Sequence, residues 1–434
     1  MAAPDLDTLV SLAKRRGFVF ASSEIYGGFA STWDYGPLGA ELIRNVKEAW
    51  WRRNVLARED VVGLNASILM HPQIWEASGH VENFNDPLVE CTTCKRRYRQ
   101  EDVPDNRCPD DGVELTAPRM FNTMFSTHVG PVQESADIAY LRPETAQAIF
   151  ANFKNVVNST RVHLPFGIAQ VGKAFRNEIT TGNFIFRSRE FEQMELEYFV
   201  EPGEDVTTFK TWVNERFAWW QDFGLDQNRL RLRQHEPDEL SHYSKATTDI
   251  EYKFPFGWGE VEGIANRTDF DLQRHEEASG EMLAVFDEAT KTHIRPYVIE
   301  PSSGVDRAAL AFLADAYTEQ EVRGEKRVFL NLDPRLAPTK AAVFPLARNK
   351  PDLVKLARDI HAQLASSWPV FFDASGSIGR RYARQDEAGT PFGITVDYDS
   401  LEDNSITIRH RDTMDQERLA TADLHDYLAQ RLSW

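Results

Sequence analysis

The chain has 434 residues, a formal net charge of −18, and 42% hydrophobic and 11% aromatic residues. That length suits about two or three domains, and the composition excludes global disorder. No apolar run approaches the roughly 20 residues needed to cross a bilayer, the acidic start is unlike a signal peptide, and three clustered cysteines exclude a disulfide framework.

A cytoplasmic protein with no membrane partner is therefore expected. The acidity argues against a general polyanion binder. From Pro338 onward 12 Lys and Arg nearly balance 14 Asp and Glu, so the acid excess lies in the body.

Residues 5–16 carry Leu6, Leu9, Val10 and Ala13 at helical spacing, and Gly17 ends the helix. GFVFAS reads as a short strand. Gly36-Pro37-Leu38-Gly39 opens a long amphipathic helix with Leu38, Leu42, Ile43, Val46, Ala49 and Trp50 on one face. Residues 88–117 are rich in Asp, Pro and Arg and read as an insertion. Within it Cys91-x2-Cys94-x13-Cys108-x2-Asp111 has the outline of a zinc ribbon with a carboxylate in the last place. Carboxylate oxygen can complete a tetrahedral set, so these four are candidate zinc ligands.

From 163 to 200 the pattern is strand, polar loop, strand, with Thr180-Thr181-Gly182-Asn183 as the turn. A Trp-rich helix follows near 205–223, and PYVIEPS gives way to the helical VDRAALAFLADAYTE. Pro334 and Pro338 bracket a linker. Beyond it, residues 338–434 alternate strands and helices, which predicts a small α/β domain with a mainly parallel sheet. The body, 1–333, fits an α+β fold on an antiparallel sheet.

On paired antiparallel strands Arg176, Glu178, Arg187 and Phe191 converge on one face. Such a set can hold a nucleotide: guanidiniums fork a phosphate, a ring stacks on a base, and a carboxylate accepts from an exocyclic amine. Arg307 falls just inside a helix start, where the dipole favours an anion. No P-loop or dinucleotide-binding glycine pattern is present.

FRNE with the later Arg187-x3-Phe191, and EPSSGVDR, resemble motifs 2 and 3 of the class II aminoacyl-tRNA synthetases. Residues 38–72, a helix and then a strand ending at Pro72, resemble motif 1, the dimer interface. YGPLG, LRPETAQ, FRNE, REFEQME, GIANRTDFDL and VIEPSSGVDR together resemble the glycyl-tRNA synthetases of the homodimeric type, over essentially the whole chain.

The resemblance implies a class II catalytic domain followed by an anticodon-binding domain, with ATP, Mg2+, glycine and tRNA(Gly) as partners. It implies catalytic roles for Arg176 and Arg307, and ATP contacts from Arg176, Asn177, Glu178, Phe186, Arg187, Phe191, Glu260, Val261, Gly304 and Arg307. Amino-acid contacts would come from Arg99, Glu144, Phe191, Glu192, Gln193, Met194, Glu195, Arg267, Glu300 and Ser302. In this scheme carboxylates hold the glycine ammonium and Arg267 orients its carboxylate. Glu260, and secondarily Glu300, would bind Mg2+. Arg380, Arg381, Arg384, Arg409 and Arg411 are candidates for anticodon-stem contacts. The alternatives are a non-catalytic synthetase-like accessory or regulatory protein, or a class II synthetase for another small amino acid.

Overall fold

The computed structural model describes residues 3–130, 138–179, 182–241 and 243–434. At its centre is a seven-stranded sheet. The strand order is Leu230–Gln234, Ala246–Phe254, Gly257–Thr268, Tyr297–Gly304, Glu190–Val200, Phe166–Phe175 and Val61–Gly63. All pairings are antiparallel except the last, where Val61–Gly63 runs parallel to its neighbour at the edge.

Side chains alternate across the sheet with period two. Met194, Leu196, Tyr198 and Val200 enter the main core with helices Pro37–Trp51, Asp205–Asp222 and Val305–Ala316. Phe166, Ile168 and Phe199 face the other way, against Ile149, Phe150 and Phe153 of helix Ala146–Thr160. That second face carries Phe191, Gln193, Glu195 and Glu197 on the strand that also carries Phe199. Polar residues at alternate positions there mark the functional face.

The first helix, Leu6–Arg16, is capped by the Asp5 side chain on the Thr8 amide at 2.7 Å and ended by Gly17 at φ 76°. The glycine of YGPLG has a packing reason. A Cβ on Gly39 would lie 1.8 Å from the Phe18 carbonyl oxygen, so only glycine lets helix Pro37–Trp51 pack this close.

Helix Val305–Ala316 is shorter than expected. Tyr317 instead starts the hairpin Tyr317–Val322 with Glu325–Leu330. The turn residues Thr180 and Thr181 lie outside the described residues. The insertion forms a three-stranded sheet of Asn85–Glu90, Arg97–Arg99 and Arg119–Asn122. It has a small core of Val89, Cys91, Val103, Cys108 and Leu115.

The expected linker is packed. Leu336 and Ala337 are fully buried, and Asn45 donates to both of their carbonyls at 3.1 Å. Beyond it, a separate core built around Val343, Ile360, Ile394, Ile408 and Leu428 holds a five-stranded sheet. Its order is Val370–Phe372, Ala341–Pro345, Phe392–Val396, Ser405–His410 and Gln416–Ala420. The sheet is half parallel, not mainly so: the first two pairings are parallel and the last two antiparallel. The short connection after Val396 leaves no room for a crossover helix, so the chain returns antiparallel. Among the described residues no helix is long and apolar enough to cross a membrane.

Candidate active site

A cleft of about 680 Å³, its open mouth included, lies on the functional face. Its lining includes Arg176, Glu178, Phe186, Arg187, Phe191, Gln193, Glu260, Val261, Ser302, Gly304 and Arg307. Most of the expected nucleotide set is therefore together. Asn177 is the exception, its amide donating to the Thr123 carbonyl at 2.7 Å outside the lining.

Arg176 follows directly on strand Phe166–Phe175. Its guanidinium lies 5.4 Å from the Phe191 ring and donates to the Pro143 carbonyl at 3.0 Å. Arg187 lines the cleft with no ion pair among the described residues. Arg307 reaches over the Phe186 ring at 4.4 Å and pairs with Glu260 at 2.9 Å. Behind it, Asp306 accepts from Tyr35 Oη at 2.6 Å and from the Glu192 amide at 2.8 Å, which anchors the helix start to the neighbouring strand.

Arg99 is outside the cleft lining and reaches it through Glu178. It pairs with Asp86 at 2.6 Å and with Glu178 at 3.2 Å. The insertion thus braces Glu178.

Deeper in, a buried acidic pocket forms. Glu195 accepts from the Thr145 amide at 2.9 Å, from the Thr145 hydroxyl, from Ser302 Oγ at 2.7 Å and from Gln193 at 2.8 Å. Glu144 faces His80 at 3.3 Å and accepts from Gln147 at 3.1 Å. Burial alone would raise the Glu144 carboxyl, yet His80 and then Arg267 hold it below the ordinary range. Burial and the charge of Glu144 push Glu195 up.

Four of the expected amino-acid contacts differ in their surroundings: Arg267, Glu300, Glu192 and Met194. Arg267 is 1% exposed, forks Asp271 at 2.7 and 2.8 Å, grips both oxygens of Glu300 at 3.0 and 2.9 Å, and lies 3.8 Å from the Tyr243 ring. Four of its five N–H donors are engaged by Asp271 and Glu300, so it positions Glu300 within the pocket. Glu300, gripped by Arg267, is set back from the cleft lining, where Glu260 stands. Burial raises its carboxyl to about 8, with the charges of Glu195 and Glu144 adding to the rise against the pull of Arg267. Strand alternation turns Glu192 and Met194 away: Glu192 pairs with Lys47 at 2.9 Å and Met194 is in the main core.

The C-terminal arginines also change meaning. Arg381 donates to the carbonyls of Pro345, Ala374 and Gly376; Arg411 to those of Gly389 and Leu332; Arg409 forks Asp386; and Arg384 pairs with Asp373. These four are structural, and Arg380 alone of the five is exposed.

Thr145, His80, Asp271 and Tyr243 belong to the pocket but were not singled out from the sequence. Thr145 sat inside LRPETAQ, whereas His80 carries no local signal. In the insertion the ligand atoms of Cys91, Cys94, Cys108 and Asp111 all lie within 4.8 Å of one another. The Cys94 and Cys108 sulfurs are 3.6 Å apart. This donor set fits a tetrahedral zinc.

Two family descriptions match the chain: the tRNA synthetase class II core domain (G, H, P, S and T) over residues 125–383, and the anticodon binding domain over residues 340–431. The chain is 55% identical to the glycine–tRNA ligase of Thermobifida fusca (strain YX), across 99% of this chain and 98% of that one. It is 53% identical to the glycine–tRNA ligase of Streptomyces coelicolor, across 100% and 99%. With that of Lysinibacillus sphaericus the identity is 51% across the full length of both.

Proposed function

The chain belongs to the glycine–tRNA ligases of the class II synthetases, and on that footing we propose that it activates glycine with ATP as glycyl-adenylate and transfers the glycyl group to tRNA(Gly). The observation that carries the chemistry is the continuity of two sites: a cleft lined by arginines and an aromatic ring, and a buried acidic pocket joined to it through Gln193 and Ser302.

In this reading the adenine stacks on Phe191 with Glu178 near its amino group, and Arg187 and Arg307 hold the γ-phosphate. Arg176 meets the α-phosphate. In-line attack by the glycine carboxylate loads charge on the α-phosphate oxygens, and a fixed guanidinium lowers that barrier electrostatically. Glu260, facing the cleft beside Arg307, is the residue suited to hold Mg2+, which supplies charge neutralisation across the ATP phosphates. No covalent enzyme nucleophile is required.

The glycine ammonium belongs among Glu144, Glu195 and Glu300, with Ser302 at the margin. These carboxylates are 8%, 2% and 6% exposed. An enclosed pocket of that kind excludes a side chain beyond Cα by steric clash, so larger amino acids are rejected without an editing step.

The same proposal makes 1–333 the catalytic domain and 338–434 the anticodon-binding domain. It makes the Cys91, Cys94, Cys108 and Asp111 cluster a structural zinc site, and the Pro37–Trp51 region the contact of a cytoplasmic homodimer. The non-catalytic alternative is disfavoured because Arg176, Arg187 and Arg307 are all retained and all line the cleft.

Glycine-dependent ATP–pyrophosphate exchange, with alanine and serine as controls, tests the assignment. Exchange with glycine alone is expected. No exchange with any amino acid sinks the enzyme reading, and exchange with serine alone sinks the choice of glycine.

A further inference from the structure

Glu197 has no part in the scheme above, yet its setting is unusual. It lies on strand Glu190–Val200, which pairs with Tyr297–Gly304 on either side of it: Glu195 is opposite Ser302 and Tyr198 opposite Ile299. That register brings Glu197 alongside Glu300, on the face that also carries Glu195. The residue is 0% exposed, and neither carboxyl oxygen has a hydrogen-bond partner among the described residues. Buried polar groups are almost always satisfied, and an exception calls for an explanation.

The charged surroundings come from every element packed around it. Its own strand supplies Glu195, strand Tyr297–Gly304 supplies Glu300, and strand Gly257–Thr268 supplies Arg267. Helix Phe270–Ser279 supplies Asp271 and His275. Glu144 precedes helix Ala146–Thr160 and is backed by His80, while Tyr243 covers Arg267. Arg267 grips Asp271 and Glu300, His80 faces Glu144, and Arg142 and Arg176 act on Glu195, so four cations stand against the five carboxyls of Glu144, Glu195, Glu197, Asp271 and Glu300. His275 is held neutral by burial, its pKa lowered, and it bonds to the Gln147 side chain at 2.9 Å. The empty pocket therefore has more acids than cations to pair them.

We propose that Glu197 is a positioning residue of the amino-acid site: in the empty pocket the Glu197–Glu300 pair keeps one proton, and the arriving ammonium displaces it to solvent. This presupposes that the pocket seats the glycine ammonium. The balance is simple. A carboxylic acid becomes a carboxylate, its proton passes to water, and no bond of glycine is broken. The new cation takes over the neutralising role the proton had. The directions of the two acidities agree with this: burial and then the charge of Glu300 push the Glu197 carboxyl well above its ordinary range, and burial lifts Glu300 to about 8. Arg267 grips both oxygens of Glu300, and no hydrogen bond joins Glu300 to Glu197 among the described residues.

The KM for glycine and for ATP, followed in ATP–pyrophosphate exchange from about pH 6.5 to about pH 8.5, tests the idea in the full-length protein and in Glu197→Gln. In the unaltered protein the glycine KM should fall by more than about tenfold and at most about 100-fold over those two pH units, since displacement of one proton sets a maximal slope of about tenfold per unit, while the ATP KM stays level. Glu197→Gln should flatten the glycine profile without moving that of ATP. A flat glycine profile in the unaltered protein overturns the proposal, as does an unchanged slope in the variant.

Should the variant not fold, calorimetric titration of the unaltered protein with glycine in phosphate and in Tris at about pH 7 gives the proton count directly. Release approaching one proton supports the proposal and zero overturns it. Exchange with serine or alanine but not glycine would instead overturn the underlying reading, and this proposal with it.

Discussion

The arginines of the cleft and those of the C-terminal sheet differ in how many donors they have left. Arg176 gives one N–H to a carbonyl and leans on a ring, and Arg187 has no ion pair among the described residues. Arg381 and Arg411 are each 2% exposed and bind backbone carbonyls, while Arg409 and Arg327 enclose Asp386. A guanidinium has five N–H donors in a fixed plane, and it can receive a phosphate only with those still free. The first group is kept available for a ligand, and the second replaces missing secondary-structure hydrogen bonds.

The sharpest break of this comparison is Arg176→Ala. Exchange should fall by about 100- to 1,000-fold, the scale for loss of one preorganised electrostatic contact, with the thermal melt unmoved. A destabilised but active variant would place Arg176 in the structural group.

Arg411→Ala should do the reverse. Removing it leaves the buried Gly389 and Leu332 carbonyls without a donor, and urea melts should show a loss of about 3 kcal/mol. Glycine exchange well below the melt should survive. Weakened tRNA charging with unchanged stability would instead return Arg411 to the RNA surface.

A smaller effect is expected from the insertion, whose Arg99 is tied to Asp86 and Glu178. Cys108→Ser should remove about one bound zinc by metal analysis of protein purified without chelator. It should raise the ATP KM by no more than about tenfold, since coupling through an intervening residue is modest. A variant with full zinc would remove Cys108 from the ligand set.

The smallest change is a pH dependence. Glu300 has its carboxyl raised from 4.5 to about 8 in the folded chain. Between those values the folded state binds a proton the unfolded chain has lost, so this group's contribution to stability declines as pH rises through the window. The melting temperature of the empty protein should drop by a few degrees toward about pH 8.5, and saturating glycine should raise it more there than at about pH 6.5. An equal glycine effect at both values would contradict the raised acidity.

Much of the fold was legible because the local signals were strong. Asp5 and Gly17 bound the first helix, the two motif-bearing strands pair as expected, and Gly39 sits where no side chain fits. The half-parallel C-terminal sheet was missed because strand direction depends on connection length and not on residue pattern. The packed linker was missed because two prolines mark a bend and say nothing about whether Leu336 and Ala337 are buried beyond it. Within the site, strand alternation could have excluded Glu192 and Met194, since they are out of phase with Phe191 and Glu195.

What the sequence by itself determined was the chemical inventory and its order along the chain: the ring, the arginines, the acids, and the cysteines with their terminal aspartate. Long ordered motifs carry that information because each pairs a backbone demand with a side-chain function at a set spacing. Tertiary structure alone decided which groups have donors or acceptors left. Arg267 and Arg307 read alike in sequence. One is enclosed by Asp271, Glu300 and Tyr243, while the other opens onto a cleft. Glu197 became visible only when strand register set it beside Glu300 without a partner, because hydrogen-bond satisfaction is a property of neighbours in space.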